Sequence, residues 1–104
     1  MSLVTNLILT WPCDGYGTQP SPFLQAVNAH FEGKPGLVHV DSVQNGDWYG
    51  GTKYLEVEVA IGAINYLDLD AFMAHLRTVP WERPEHVQLM VCEQEDPGFR
   101  IITL

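Results

Sequence analysis

Residues 52–65 constrain the fold of this chain more strongly than any other stretch. Apolar side chains alternate there with polar or small ones, and an α-helix, whose period is about 3.6, cannot sort such a pattern onto two faces. We therefore predict a long β-strand with one buried face and one face that tolerates charge. The residues predicted to face the core are Leu55, Val57, Val59 and Ile61. The residues predicted for the other face are Tyr54, Glu56, Glu58 and Ala60.

The rest of the chain supplies further strands and two helices around this strand. Strands are predicted over residues 3–11, 37–43, 86–93 and 99–104. Ser21 and Asp68 have the chemistry of helix N-caps, and apolar residues at helical spacing follow each of them. The helices are therefore predicted to run from residue 22 to about residue 31 and from residue 69 to residue 79.

The resulting order, β-α-β-β-α-β with a final β, resembles the ferredoxin-like or split βαβ pattern. It predicts an α+β fold in which an antiparallel sheet has the strand order 4-1-3-2 and the fifth strand lies beside strand 4. Both helices are expected on one face of the sheet. The 104 residues fit a single domain. This fold hosts many unrelated functions, so the topology does not by itself indicate an activity.

The charge of the chain restricts its partners. Thirteen acidic and five basic residues give a net charge of −8, which disfavours binding to nucleic acid or to an anionic membrane. A basic protein partner is compatible with this charge, and so is a purely solubilising role. The first residues lack a signal peptide and no apolar run reaches the roughly 20 residues of a membrane span, so we expect a cytoplasmic protein. Cys13 and Cys92 are expected to be free thiols.

The predicted topology brings three loops, residues 12–20, 44–51 and 80–84, to one end of the sheet. These loops and their borders contain all three tryptophans of the chain. Trp11 continues the inward series of the first strand and is expected in the core, whereas Trp48 is expected to be exposed. Trp81 fits either environment.

Our first hypothesis is a non-catalytic protein-binding module, of the inhibitor or immunity type, that holds a basic partner at this end of the sheet. Tryptophan and tyrosine anchor interfaces because they bury a large area with few torsions to freeze. The opposing interpretation is that these aromatic residues only cap the core. The predicted partner-binding residues are Asp14, Tyr16, Asp47, Trp48, Tyr49, Trp81 and Glu82.

Our second hypothesis is a dimeric enzyme or small-ligand binder whose site lies on the helix-free sheet face. A hairpin register that pairs Val43 with Thr52 places His39 opposite Glu56, with Asp41 nearby. Such an oriented imidazole suits acid–base chemistry, although a surface ion pair would have the same sequence pattern. No metal or cofactor motif accompanies it. A third possibility is a structural subunit with an apolar patch around Met90 and Ile102.

Overall fold

The computed structural model describes residues 3–12, 22–40 and 57–104, and its fold is α+β as predicted. Within these ranges the helices are α1 (Pro22–Asn28) and α2 (Leu69–Leu76), and 3-10 turns cover Ala29–Phe31 and Pro84–His86. The strands are β1 (Val4–Pro12), β2 (Val38–His39), β3 (Val57–Asn65), β4 (Gln88–Glu93) and β5 (Arg100–Thr103).

The five strands form one antiparallel sheet in the order β2-β3-β1-β4-β5. β1 lies at the centre and pairs with β3 along its whole length, from Val4 opposite Asn65 to Pro12 opposite Val57. On its other side β1 pairs with β4. The last strand pairs with β4, as expected from the turn signature between them. The register of β1 therefore sets which residues of its two neighbours share each face.

The core lies on the helix-bearing side of the sheet. The apolar stripes predicted for the two helices are buried there, and so are the predicted inward residues of β1 and β4. The largest contributions come from Leu7, Leu9, Trp11, Leu24, Val27, Phe31, Phe72, Met73, Leu76, Val87, Leu89 and Val91. These assignments from periodicity are confirmed.

The two faces of β3 are inverted relative to the prediction. Glu58 and Ala60 are buried, whereas Val57 and Ile61 are 48% and 45% exposed. The prediction that Val57, Val59 and Ile61 face the core is therefore wrong. The alternating pattern gives the period of a strand but does not say which face meets the helices. Here Ala60 lies opposite the inward residue Leu9, and this pairing turns the small residues of β3 toward the core.

The register between β2 and β3 also differs from the prediction. Val38 pairs with Ile61 and His39 with Ala60, so His39 does not lie opposite Glu56. His39 shares the face of Ala60 and is directed toward the core rather than to the helix-free face. Glu56, Asp41 and the predicted pairing of Val43 with Thr52 lie outside the described residues.

Two hydrogen bonds from the side chain of Asn28, the last residue of α1, position the start of β2. The Asn28 side chain donates Nδ2–H to the Leu37 carbonyl oxygen over 2.9 Å and accepts the Leu37 N–H at Oδ1 over 2.8 Å. The backbone N–H and C=O of Leu37 are thereby both hydrogen-bonded, as they would be in a pair of strands. This contact between residues on different elements, which strand periodicity does not reveal, helps to set the β2 register.

The helix ends follow local chemistry. Asp68 is the N-cap of α2, as predicted, because its Oδ1 accepts the Ala71 N–H over 3.1 Å. The turn after α1 ends at Glu32 and Gly33, which both have positive φ, close to the predicted helix end at about residue 31. The other predicted cap, Ser21, lies outside the described residues. No helix in the described ranges is long and apolar enough to cross a membrane.

Replacing Gly36 by alanine tests the tie between α1 and β2. A Cβ at this position would lie 2.3 Å from Asn28 Oδ1 and 2.7 Å from Phe31 Cδ2. We expect Gly36→Ala to lower the free energy of unfolding by about 1–3 kcal/mol, as overpacking does, measured by urea denaturation. Gly98→Ala is the matched control, since nothing lies within 4 Å of its added carbon. Equal stability of the two variants would show that the Asn28 contact does not constrain β2.

Candidate functional site

Three aromatic rings form a cluster at the end of the sheet where β1 terminates. The ring centroids of Trp11 and Trp81 are 5.8 Å apart, and the ring of Phe23 stacks on Trp81 at 5.5 Å. Trp81 donates its Nε1–H to the Leu76 carbonyl oxygen over 3.0 Å. Trp11 is buried, as predicted, and Trp81 is partly buried. Because the ring of Trp81 is stacked and hydrogen-bonded, its position on this end of the molecule is fixed.

Each ring reaches the cluster from a different element. Trp11 is the last inward residue of β1, and Phe23 lies in the first turn of α1. Trp81 follows α2, where Pro80 cannot continue the helix and the Trp81 N–H bonds the Val79 carbonyl oxygen over 2.8 Å. The cluster therefore depends on the mutual placement of a strand, a helix and a loop.

A small pocket of about 60 Å³ opens beside the cluster. Its floor is aromatic, and the exposed residues Glu82 and Arg83 stand at its rim. The volume is about that of two water molecules, which is enough to receive the end of one side chain. The lining consists of Trp11, Pro12, Phe23, Trp81, Glu82, Arg83 and Val87.

Described residues next to the two stretches outside the structure's description meet at this end, together with the third predicted loop. Pro12, which precedes residues 13–21, pairs with Val57, which follows residues 41–56. Pro12 also lines the same pocket as Trp81 of the third loop. Of the predicted partner-binding residues, the structure places Trp81 and Glu82 here. The other five, which lie outside the described residues, are Asp14, Tyr16, Asp47, Trp48 and Tyr49.

A buried polar pair lies under the aromatic cluster. His39 is only 2% exposed and donates its Nε2–H to the Glu58 carboxylate, which is buried as well. The ring of Trp11 meets the imidazole edge-on, with centroids 6.0 Å apart. Glu58 reaches this position because it lies opposite Trp11 in the β1–β3 ladder. The sequence interpretation missed this pair because it assigned Glu58 to the helix-free face.

This geometry does not support acid–base catalysis on the helix-free face. The imidazole of His39 lies on the opposite, helix-bearing side, and its burial keeps a dissolved substrate away from it. What the pair does is satisfy two buried polar groups where β2 and β3 meet the aromatic cluster. The predicted register is wrong for His39, which pairs with Ala60 and bonds Glu58. Glu56 and Asp41 lie outside the described residues, so the site that combines them with His39 stays a prediction from the sequence.

Two other histidines lie together between the helices. The rings of His30 and His75 are 5.1 Å apart, and His75 donates Nε2–H to the Ala26 carbonyl oxygen over 2.8 Å. In the part of the chain that the structure describes, no three His, Cys, Asp or Glu side chains are grouped to hold a metal ion. The contacts of these two histidines link α1 to α2.

A double-mutant cycle tests the role of the buried pair. Truncating either His39 or Glu58 to alanine leaves its buried partner without that hydrogen bond. We expect each single change to cost about 3 kcal/mol of unfolding free energy. The coupling energy from urea denaturation of the two single variants and the double variant should exceed about 1 kcal/mol.

The control cycle uses the exposed Glu85 and His86, whose Oε1 and Nε2 are 3.9 Å apart. Its coupling should stay below about 0.5 kcal/mol, because solvent screens an exposed pair. Coupling no larger for His39 and Glu58 than for this exposed pair would contradict their structural role.

Comparison with known proteins assigns no family to this chain. No protein-family model matches it, and neither does any curated protein or solved structure. What the chain does must therefore be inferred from its own residues.

Proposed function

We propose that this chain is a small, acidic, non-catalytic protein-binding module that holds a basic protein partner at the aromatic end of its sheet. Proteins of the inhibitor or immunity type, which block a basic enzyme, have this character. The observation that carries the proposal is the cluster of Trp11, Phe23 and Trp81, where the first predicted loop begins at Pro12 and the third contributes Trp81.

The chemistry of these loops supports a protein partner. Residues 13–21 and 41–56 carry two aspartates, a tryptophan and tyrosines that the sequence analysis assigned to binding. Loops held by a rigid scaffold are where binding residues concentrate. The pocket beside Trp81, with Glu82 at its rim, would receive the end of one partner side chain.

The charge of the chain supports a basic partner. With a net charge of −8, the protein attracts a cationic surface over a distance of about one Debye length, roughly 8–10 Å in physiological salt. Such steering speeds association, and desolvated aromatic anchors then slow dissociation.

We also propose that the fold is ferredoxin-like. The strand order, counted from the β5 edge, is 5-4-1-3-2, and the helices α1 and α2 follow the first and third strands of the chain. Both features support a split βαβ arrangement. A cytoplasmic location stays a prediction from the sequence.

Replacing Trp48 by alanine tests the binding surface. A pull-down from the host lysate at low and at moderate salt, analysed by mass spectrometry, should capture one basic protein whose recovery falls as salt rises. By titration calorimetry against that protein, Trp48→Ala should weaken binding by more than about 1 kcal/mol, a loss typical of an aromatic anchor.

Two variants at the opposite end of the sheet serve as controls. Tyr66→Asn removes an exposed aromatic ring there and keeps a residue type that tolerates positive φ. Glu95→Gln removes an exposed carboxylate at that end and is the control for Glu82→Gln. Glu82→Gln should reduce the dependence of binding affinity on salt concentration. Binding that is unchanged in Trp48→Ala and Glu82→Gln, or equally weakened in the controls, would exclude the aromatic end as the binding surface.

A further inference from the structure

The helix-free face of the sheet carries an apolar row that crosses all five strands. Pairings in register join Val38 to Ile61, Ile61 to Ile8, Ile8 to Met90 and Met90 to Ile101. Residues directly opposite each other in a ladder share a face, so these five side chains stand side by side. Ile101 is 62% exposed, and Val38 and Ile61 are also exposed. The inversion of β3 creates this row, because it turns Ile61 away from the core.

The same face is free of charge in the described strands. Above and below the row, the strands direct to this face only uncharged residues, which are Val4, Asn6, Thr10, Pro12, Val57, Val59, Ala63, Asn65, Gln88, Cys92 and Thr103. The described strands therefore contribute none of the net charge of −8 to this face. An apolar row flanked by uncharged residues in the described strands, on so acidic a chain, is the pattern of a surface that another protein surface covers.

The size of the face suits a stable interface. The two central strands are nine residues long and reach about 30 Å, and five strands at about 4.8 Å spacing give a flat area on the order of 500 Å². Side chains that project from the sheet raise its accessible area above this value. It thus approaches the roughly 800 Å² that each partner contributes to a standard interface.

We infer that this face binds a second copy of the chain, so that two sheets pack face to face around a two-fold axis parallel to the strands. Two chains of charge −8 repel each other, and repulsion is least where they approach through a face whose described strands carry no charge. Two apolar sheet faces packed about 10 Å apart form the core of a sandwich. This association is independent of the partner proposed for the aromatic end.

The relief of the face favours the same arrangement. Phe99 and Ile101 are exposed on the β5 side, and a shallow depression extends across the face from Phe99 over Ile8 and Ile61 to Val38. A two-fold axis parallel to the strands lays the β5 edge of one copy over the β2–β3 edge of its partner. The exposed Ile101 of each copy then faces the Val38 and Ile61 side of the depression in the other, and such reciprocal contacts are what an isologous interface requires.

Sedimentation velocity over a range of micromolar concentrations tests this inference. The unmodified chain should sediment as a dimer, and raising the salt concentration should not dissociate it, because salt screens the repulsion. Ile61→Glu and Ile101→Glu should each raise the dimer dissociation constant by about thirtyfold or more, since they place a charge at the centre of the buried patch. The milder Ile61→Thr keeps a β-branched side chain and should raise the dimer dissociation constant less.

Gln25→Glu is the control, because it adds the same charge on an exposed position of α1, away from the sheet. It should leave the dimer intact, and circular dichroism should show all four variants folded. A chain that is monomeric at every concentration overturns the inference. If such a monomer also loses stability in Ile61→Glu, residues of its own chain cover the face instead. A dimer that persists in both Ile61→Glu and Ile101→Glu overturns the inference as well.

Discussion

The pairing of β1 with both of its neighbours is the interaction on which the rest of the structure depends. Leu9 lies between Ala60 and Leu89, and this row faces the helices. Ile8 lies between Ile61 and Met90, and that row faces away from them. A slip of one residue in this ladder would exchange the two faces of a neighbouring strand. One set of backbone hydrogen bonds thus defines the core and the apolar face together.

The buried pair of His39 and Glu58 is a consequence of the same ladder. Turning Ile61 outward turns Glu58 inward, and a carboxylate among apolar side chains is costly unless it is bonded. His39 supplies that bond from the neighbouring strand, and Trp11 covers the imidazole. The polar pair and the aromatic cluster lie at the same end of the sheet. Pro12 and Val57, the described residues before residues 13–21 and after residues 41–56, are paired with each other at this same end.

The two proposed surfaces differ in their chemistry. Binding at the acidic aromatic end should weaken as salt rises, whereas association through the uncharged face should not. A two-fold axis parallel to the strands would also leave both aromatic ends on the same side of the dimer. Such a dimer would present two binding ends to one target or to two neighbouring copies of it, and avidity would then raise the apparent affinity.

The sequence by itself determined the features that depend on near neighbours in the chain. Helical spacing identified the buried stripe of Phe72, Met73 and Leu76, and Asp68 was recognisable as a cap because its bond spans only three residues. Only the tertiary structure decided which face of β3 meets the helices, since alternation fixes a period and leaves the choice of face to the partner strand. The tertiary structure also decided the partner of His39. The hydrogen bonds between Asn28 and Leu37 join two separate elements, and the β1–β3 register pairs residues that are distant in the sequence. Neither interaction leaves a local pattern in the sequence.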